Sequence, residues 1–445
     1  MTNVTPSIAR GLHLLALTAT MASAQARPAT PATPQGGITE FVASGIKVIH
    51  KPVTSNDVIA VRLLLVGGAA AITPANEGIE ALMAATIDKG TAKYDKDAFS
   101  ALATSTGTQV GGAAALDYTA FFAQGVRQHF NDTWDLFTQA ALHPTFPSEE
   151  VEQAKEQIVN GLKQRADDPD SYLNLVADSL LYAGHAYAAE PGGSPESIAK
   201  LTSADLTAWH KRRMTKANLV LVVVGNVTRA DLQSKIATAF GALPATGGAA
   251  PAATPIASTP STLTIIEREL PTNYIQGIFP APGRGHPDYP ALQVATSLLG
   301  ERLFEEVRTK RNLTYAVAAF VAGARQSKGG LYVTAVNPDT TIKVIFSEVK
   351  KIQTVPVSLG RLRETINVFL TEYWMGQETN MGQATALGNW EVTGGGWRNA
   401  ALYAQRTQAV TPAAIQRVTA RWLKNARFVV IGDPKKITRS LYTTF

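Results

Sequence analysis

Apolar residues recur along this chain in two rhythms. From Ser148 to Arg165, Val151, Ala154, Ile158 and Leu162 return every three or four positions, the spacing of a buried stripe on one helix face. Shorter runs have the length and the β-branched and aromatic content of strands: Ile46 to His50, Ile59 to Val66, Phe121 to Val126, Leu219 to Val224, Leu331 to Val336 and Phe428 to Ile431. Because long helical runs alternate with these strands, the pattern predicts an α+β fold in which helices pack on sheets. The pattern breaks at Gly241 to Ser261, which has no charge, no aromatic residue and only two large aliphatics. Such a segment has nothing with which to build a core and reads as a linker.

The halves on either side repeat. Thr202-Ser203-Ala204-Asp205-Leu206 opens an amphipathic run that ends at Ala217 and is followed by the Leu219 strand and Gly225-Asn226. Starting 209 residues later, Thr411-Pro412-Ala413-Ala414-Ile415 opens a run to Ala426, followed by the Phe428 strand and Gly432-Asp433. Each run starts on a threonine N-cap, and the second has proline at its first helical position. Ala81 to Thr86 similarly matches Ala291 to Thr296 at an offset of 210 residues. Two matches at almost one offset predict a duplicated domain. The boundaries are 37–240 and 262–445, each domain a mixed, mainly antiparallel sheet with helices on it, joined by the linker 241–261.

Composition narrows the function. With 445 residues, 45% hydrophobic and 17% charged, the chain is globular and too apolar for disorder. It has no cysteine, which excludes disulfide scaffolds, zinc ribbons and thiol nucleophiles and suits an oxidising compartment. The net charge of +6 comes from scattered basic residues rather than a basic stripe, so nucleic acid is not the expected partner. Residues 1–24 read as a signal peptide: Arg10 closes a basic n-region, Gly11 to Thr20 is a short apolar stretch, and Ala22-Ser23-Ala24 fits the cleavage rule. Residues 25–36 form a flexible lead, and no later run reaches the roughly 20 apolar residues of a membrane helix. The mature protein is therefore expected in the periplasm, off the membrane.

Simple motifs supply little chemistry. Gly107-Thr108-Gln109-Val110-Gly111-Gly112 has phosphate-loop glycines, but Ala113 stands where the lysine belongs. Gly192-Gly193-Ser194-Pro195-Glu196 lacks the second glycine of a nucleophile elbow. Both read as loops. The seven histidines include no i, i+4 pair for a metal; scattered surface residues are the commoner reading, with a site assembled from distant histidines as the alternative.

A longer series of motifs goes further. Gly67-Gly68, Glu77-Gly78-Ile79, Lys89-Gly90-Thr91, Phe146-Pro147, Gly184-His185-Ala186-Tyr187 and Gly193 with Ser197-Ile198 and Leu201-Thr202 follow one another in order. Leu303-Phe304, Val307-Arg308, Lys310-Arg311, Leu313 and Tyr315 come next, with Met375-Gly376-Gln377-Glu378-Thr379 as the last piece. In order and spacing this series resembles the insulinase/pitrilysin-type zinc peptidases, in the half-length branch that includes the mitochondrial processing peptidase.

The resemblance implies a zinc helix H-x-x-E-H, but here those positions are Ala81, Leu82, Met83, Ala84 and Ala85, and the third ligand position falls at about Gly161. None of the residues at the four working positions, Ala81, Ala84, Ala85 and Gly161, can bind a metal or move a proton through a side chain, so the expectation is no metal or other cofactor in this chain. What the resemblance retains is Arg308, which in the family holds the substrate backbone, and Tyr315, which hydrogen-bonds the carbonyl oxygen under attack. From the residues alone, Arg308 serves equally as a cation at the C-terminus of a helix over Arg302 to Arg311, capped by Asn312, and Tyr315 as a packing residue opening a strand to Val321. The glycine-rich loop of the mitochondrial non-catalytic subunit is missing at Leu299-Gly300-Glu301-Arg302, so presequence recognition is not implied.

These readings make the chain the zinc-less subunit of a periplasmic heterodimeric metallopeptidase. Arg308 and Tyr315 would act on peptide substrates beside a homologous H-x-x-E-H partner that carries the zinc. The alternatives are a structural or peptide-binding member without enzymatic duty, and a self-sufficient hydrolase, which the lack of clustered ligands disfavours.

Overall fold

A computed structural model describes residues 37–248 and 254–445; the expected signal peptide and lead lie outside the described residues. The first half supplies β1 (Thr39–Ala43), β2 (Ile46–Pro52), β3 (Val58–Val66), β4 (Gln109–Ala114), β5 (Tyr118–Val126) and β6 (Leu219–Gly225). The second supplies β7 (Thr262–Glu267), β8 (Asn273–Ala281), β9 (Val317–Val321), β10 (Ser327–Ala335) and β11 (Arg427–Gly432). The helices that position the candidate site are α1 (Ile79–Thr86), α2 (Ser148–Asp167), α3 (Pro169–Leu181), α4 (Ser203–Arg213), α5 (Tyr289–Leu303), α6 (Leu359–Met375), α7 (Asn380–Thr393) and α8 (Pro412–Trp422).

Strand order bears out the duplication. One sheet runs β1-β2-β6-β3-β5-β4 and the other β7-β11-β8-β10-β9. Leaving out β1, the two coincide: a parallel pair, β2 with β6 and β7 with β11, followed by antiparallel neighbours out to the edges β4 and β9. The matching sequence segments occupy matching places. Helix α4 leads into β6 and α8 into β11, and both threonine caps form, Thr202 Oγ1 accepting from Asp205 N at 3.2 Å and Thr411 Oγ1 from Ala414 N at 3.2 Å. The other pair, α1 and α5, lies beside the edge strands β4 and β9 respectively.

Each sheet covers one face with helices of its own half. Val61, Leu63 and Phe121 pack with Leu82, Val151 and Leu206 in the first, and Phe279, Leu331 and Phe428 pack with Leu292, Leu299 and Val418 in the second. The opposite faces are covered by exchange. Helix α7 of the second half lays Ala384 and Leu387 on Ile49, Leu64, Val222 and Val224 of the first sheet, and α3 of the first half lays Leu173, Ala177 and Leu181 on Ile278, Val429 and Ile431 of the second. The approach is close enough that a Cβ on Gly388 would come within 2.8 Å of Leu64 Cδ1. Polar bonds register both contacts: Arg62 Nη1 donates to Thr385 Oγ1 at 3.0 Å and Lys47 pairs with Glu391 at 2.6 Å, while Gln276 Nε2 donates to Asn174 Oδ1 at 2.9 Å. Burial on both sides explains why β6, LVLVVVG, is buried at every position instead of alternating.

Three expectations are corrected. Gly107 to Gly112 is not a loop. Gly107 ends a helix in the left-handed conformation, and Gln109–Ala114 is the edge strand β4, glycine-bearing because a Cβ at Gly111 would meet the Phe122 ring at 2.7 Å and one at Gly112 would meet Ala84 Cβ at 3.0 Å. Within the second supposed loop, Ser194 caps a short helix, Pro195–Lys200, with proline in its first turn. Nor are all the histidines on the surface: His50 on β2 is only 2% exposed.

Truncating Leu387 to alanine is expected to cost about 2–5 kcal/mol, the range for a buried leucine. Because α7 joins the halves, far-UV circular dichroism and tryptophan fluorescence of Leu387→Ala should still report one coincident urea transition; two separated transitions would show that the halves are energetically independent. His50 gives a pH dependence. Burial pushes its pKa below the usual histidine value and the Arg229 charge adds to this, against a backbone hydrogen bond with Val227. The unfolded chain therefore takes up a proton that the folded chain resists, so stability is full above the ordinary pKa of about 6.5 and is lost as pH falls below it. Urea midpoints measured from pH 8 down to about 5 should fall, and fall less steeply in His50→Gln.

Candidate functional site

Tyr315 and Arg308 sit at the C-terminal end of a continuous helical run. Helix α5 does not stop at Leu303 but widens into a π-helical turn, Phe304–Thr309, so the expected helix over Arg302 to Arg311 is a seam between two geometries. Leu303 and Val307 are fully buried in the second core, which pins the turn from beneath and drives the intervening side chains outward. Asn312 has φ 50°, the left-handed cap expected of it, and its N–H donates to the Arg308 carbonyl at 2.9 Å. Strand β9 begins two residues later than the sequence pattern suggested, at Val317, so Tyr315 lies in the connection and is 81% exposed.

Arg308 is held between two rings. Its guanidinium carbon lies 4.9 Å from the centroid of Phe304 and 4.9 Å from that of Tyr315. Stacking on aromatic faces fixes the plane of the guanidinium while leaving its N–H edges available. Among the described residues no carboxylate or carbonyl takes a hydrogen bond from it, whereas its charged neighbours are engaged. Glu306 accepts from Lys310 at 2.6 Å and from Arg311 at 2.6 Å, and these two cations pull its pKa down to about 2. Arg308 is thus the unneutralised cation of the turn, next to a phenol that can donate one hydrogen bond. The resemblance had singled out Arg308 and Tyr315; Phe304, the second ring, was quoted only as part of the motif, and an aromatic four residues before an arginine on one helical run was the signal for it.

The positions matching the zinc ligands lie in the other half. Helix α1 packs between β4 and α2 with Leu82 and Met83 buried in the first core, while Ala85 is exposed and Ala81 half-buried. Gly161 on α2 is exposed, and a Cβ there would meet nothing within 4 Å. Ala85 and Gly161 are therefore open to solvent, but methyl groups and a glycine offer a zinc ion no donor, and the residues present do not fit the metal. Among the described residues no group of three or more His, Cys, Asp or Glu side chains converges to hold one. Among the described residues, Arg308 and Tyr315 share no hydrogen bond or ion pair with α1.

One ionisable group on α1 escaped the sequence reading. Glu80 is 1% exposed; its Oε2 accepts from Thr119 Oγ1 of β5 at 2.6 Å, and its Oε1 has no partner among the described residues. Burial raises its pKa, opposed by the Thr119 bond and by the Arg213 charge. It faces inward, away from Ala85, and ties the helix to the sheet.

Comparison with known proteins fits this geometry. Residues 47–188 match insulinase (peptidase family M16), and residues 200–369 match the peptidase M16 inactive domain. An uncharacterized zinc protease of Mycobacterium tuberculosis is 26% identical over 225 residues, 48% of this chain and 50% of the relative, so the match spans about half the length of that protein. The uncharacterized zinc protease YmxG of Bacillus subtilis is 22% identical over 62% of this chain and 68% of its own, and cytochrome b-c1 complex subunit 1 of Bos taurus is 23% identical over 48% and 45%. Among solved structures, a peptidase M16 inactive domain from Pseudomonas fluorescens has a TM-score of 0.81 at 21% identity, covering 89% of this chain and 98% of that one. A Helicobacter pylori protease has the same TM-score at 16% identity, covering 88% and 99%. With two matching segments that together span most of the fold, each sheet built to the same plan, the chain belongs to the peptidase M16 (insulinase) family.

Proposed function

We propose that this chain is the zinc-less subunit of an exported, two-chain M16 peptidase. The observation that carries the reading is the Arg308 guanidinium, partly exposed and held between Phe304 and Tyr315 without an anionic partner among the described residues, beside an 81%-exposed tyrosine. A buried structural arginine would be neutralised by the chain itself; this one is prepared for an external acceptor. In the assembled enzyme Arg308 donates to the substrate backbone and Tyr315 donates its hydroxyl to the carbonyl oxygen of the bond being cleaved. Zinc and the residues that use it belong to a homologous partner carrying H-x-x-E-H. The edge strand β4, whose outer backbone groups pair with no other strand among the described residues, offers peptide a second place to align beside α1. Export rests on the signal-like residues 1–24, and no described helix is long and apolar enough to cross a membrane.

The likeness to cytochrome b-c1 complex subunit 1 favours one rival, a structural or peptide-binding member of the family with no catalytic duty. Two experiments separate them. Co-expression with a similar-length H-x-x-E-H chain from the same source should give a 1:1 complex on size exclusion that cleaves peptides, while this chain alone neither binds stoichiometric zinc nor cleaves. Zinc at about one per chain with chelator-sensitive cleavage, or failure to associate with any such chain, would overturn the subunit role.

Within the complex, Tyr315→Phe removes one donor and keeps the ring stacked on Arg308. It should lower kcat by about 100- to 1000-fold, the usual effect of deleting one donor to a developing oxyanion. Arg308→Ala should act chiefly on KM, because a backbone contact made equally in ground and transition states binds without accelerating. Wild-type kinetics from Tyr315→Phe in an intact complex would assign the pair a structural role and favour the rival.

A further inference from the structure

A groove of about 680 Å³ runs along the free edge of β9, between α5, the π-helical turn and the start of α6. Its walls include Ser297 and Gly300 of α5, Phe304 of the turn, and Val317 and Ala319 of β9. Phe304 is common to this groove and to the Arg308 stack, and it is 47% exposed. The groove and the arginine are thus two parts of one continuous surface.

Gly300 is the observation that gives the groove a purpose. It lies inside the helical run that continues from α5 into the π turn, where glycine is a poorer helix former than every residue but proline. Its backbone does not require it, since its φ is not positive, and packing does not require it either. A Cβ there would meet nothing nearer than the Ala319 backbone nitrogen at 3.8 Å, an ordinary contact. What a larger side chain at 300 would do is fill the space between α5 and β9.

The charge on the rim decides what enters. Glu301 is bridged by Arg361 at 2.6 Å and accepts from Thr365 Oγ1 at 3.2 Å, and Glu305 is bridged by Lys310 at 2.9 Å. With the acids paired and Phe304, Val317 and Ala319 on the walls, the groove offers apolar surface and no free charge.

We infer that this groove is a side-chain subsite for the peptide held by Arg308 and Tyr315, selecting a large apolar or aromatic residue next to the segment that the pair engages, with Gly300 keeping it open. The inference rests on the peptide-binding role assigned to Arg308 and extends it to substrate preference.

The test uses the isolated mature chain, labelled at alanine and valine methyls, titrated with two blocked tetrapeptides, acetyl-Ala-Ala-Phe-Ala-amide and acetyl-Ala-Ala-Asp-Ala-amide. The phenylalanine peptide should shift the Val317, Ala318 and Ala319 methyl signals and bind at least about tenfold more tightly than the aspartate peptide. Gly300→Leu should abolish that preference while leaving the circular dichroism spectrum unchanged and the melting temperature no lower, since glycine is lost from a helix. Ser297→Leu, which fills the groove from a neighbouring position on α5, should do the same. Equal affinity for the two peptides, no binding of either, or the wild-type preference surviving in both filled variants would overturn the subsite. Arg308→Ala separates this from the reading beneath it. It should weaken both peptides by the same factor and preserve their ratio; unchanged affinity for both would remove Arg308 from the binding site while leaving the groove's preference measurable.

Discussion

The structure depends on an exchange. A twisted sheet with helices on one face only would present the whole of its other face to water, and β6 and β11, buried along nearly their full length, have no polar side to present. Each half solves this for the other: α7 covers the first sheet and α3 the second. The two domains are therefore not beads on a linker. The ladder from β2 to β4 and the ladder from β7 to β9 are fixed relative to one another by leucine and valine packing, with ion pairs such as Lys47 with Glu391 setting the register. Everything placed on the two free edges inherits that rigidity, including α1 and the Arg308 turn.

Where the local sequence carried its own mechanism, the fold could be read from it. The stripe on α2 and the threonine caps of α4 and α8 appear where residue spacing put them, and the two offsets of about 210 residues correspond to equivalent helices and strands. Failures came where a distant neighbour decided the conformation. Strand β4 is glycine-rich because Phe122 and Ala84 crowd it, and nothing within Gly107 to Gly112 announces those neighbours. The uniform apolar run Leu219 to Val224 was read only as a strand, because the helix that buries its second face is supplied some 160 residues later.

The candidate site divides in the same way. Arg308 and Tyr315 were singled out through an ordered motif, yet their stacked geometry depends on a π turn that helical periodicity does not encode. The extra residue in that turn is accommodated because Leu303 and Val307 both reach the core, while Glu306 absorbs the two cations that follow. At the positions that the resemblance aligns with zinc ligands, alanine and glycine carry no side-chain ligand atoms, which is a statement of the sequence and not of the fold. Glu80, one residue earlier, shows the limit of that logic: only the fold reveals that its carboxyl points to Thr119.

The helix exchange also sets an order of events during synthesis. Every strand of the first sheet has been made once Gly225 emerges from the ribosome, but α7, which closes that sheet's second face, begins only at Asn380. Through all the intervening elongation, Ile49, Leu64, Val222 and Val224 have no permanent cover, and contacts this distant in sequence form slowly. A nascent chain in that condition is held open to chaperones and to any machinery that threads unfolded polypeptide. The architecture that makes the finished molecule rigid thus delays closure of the first sheet until Asn380–Thr393 has been delivered.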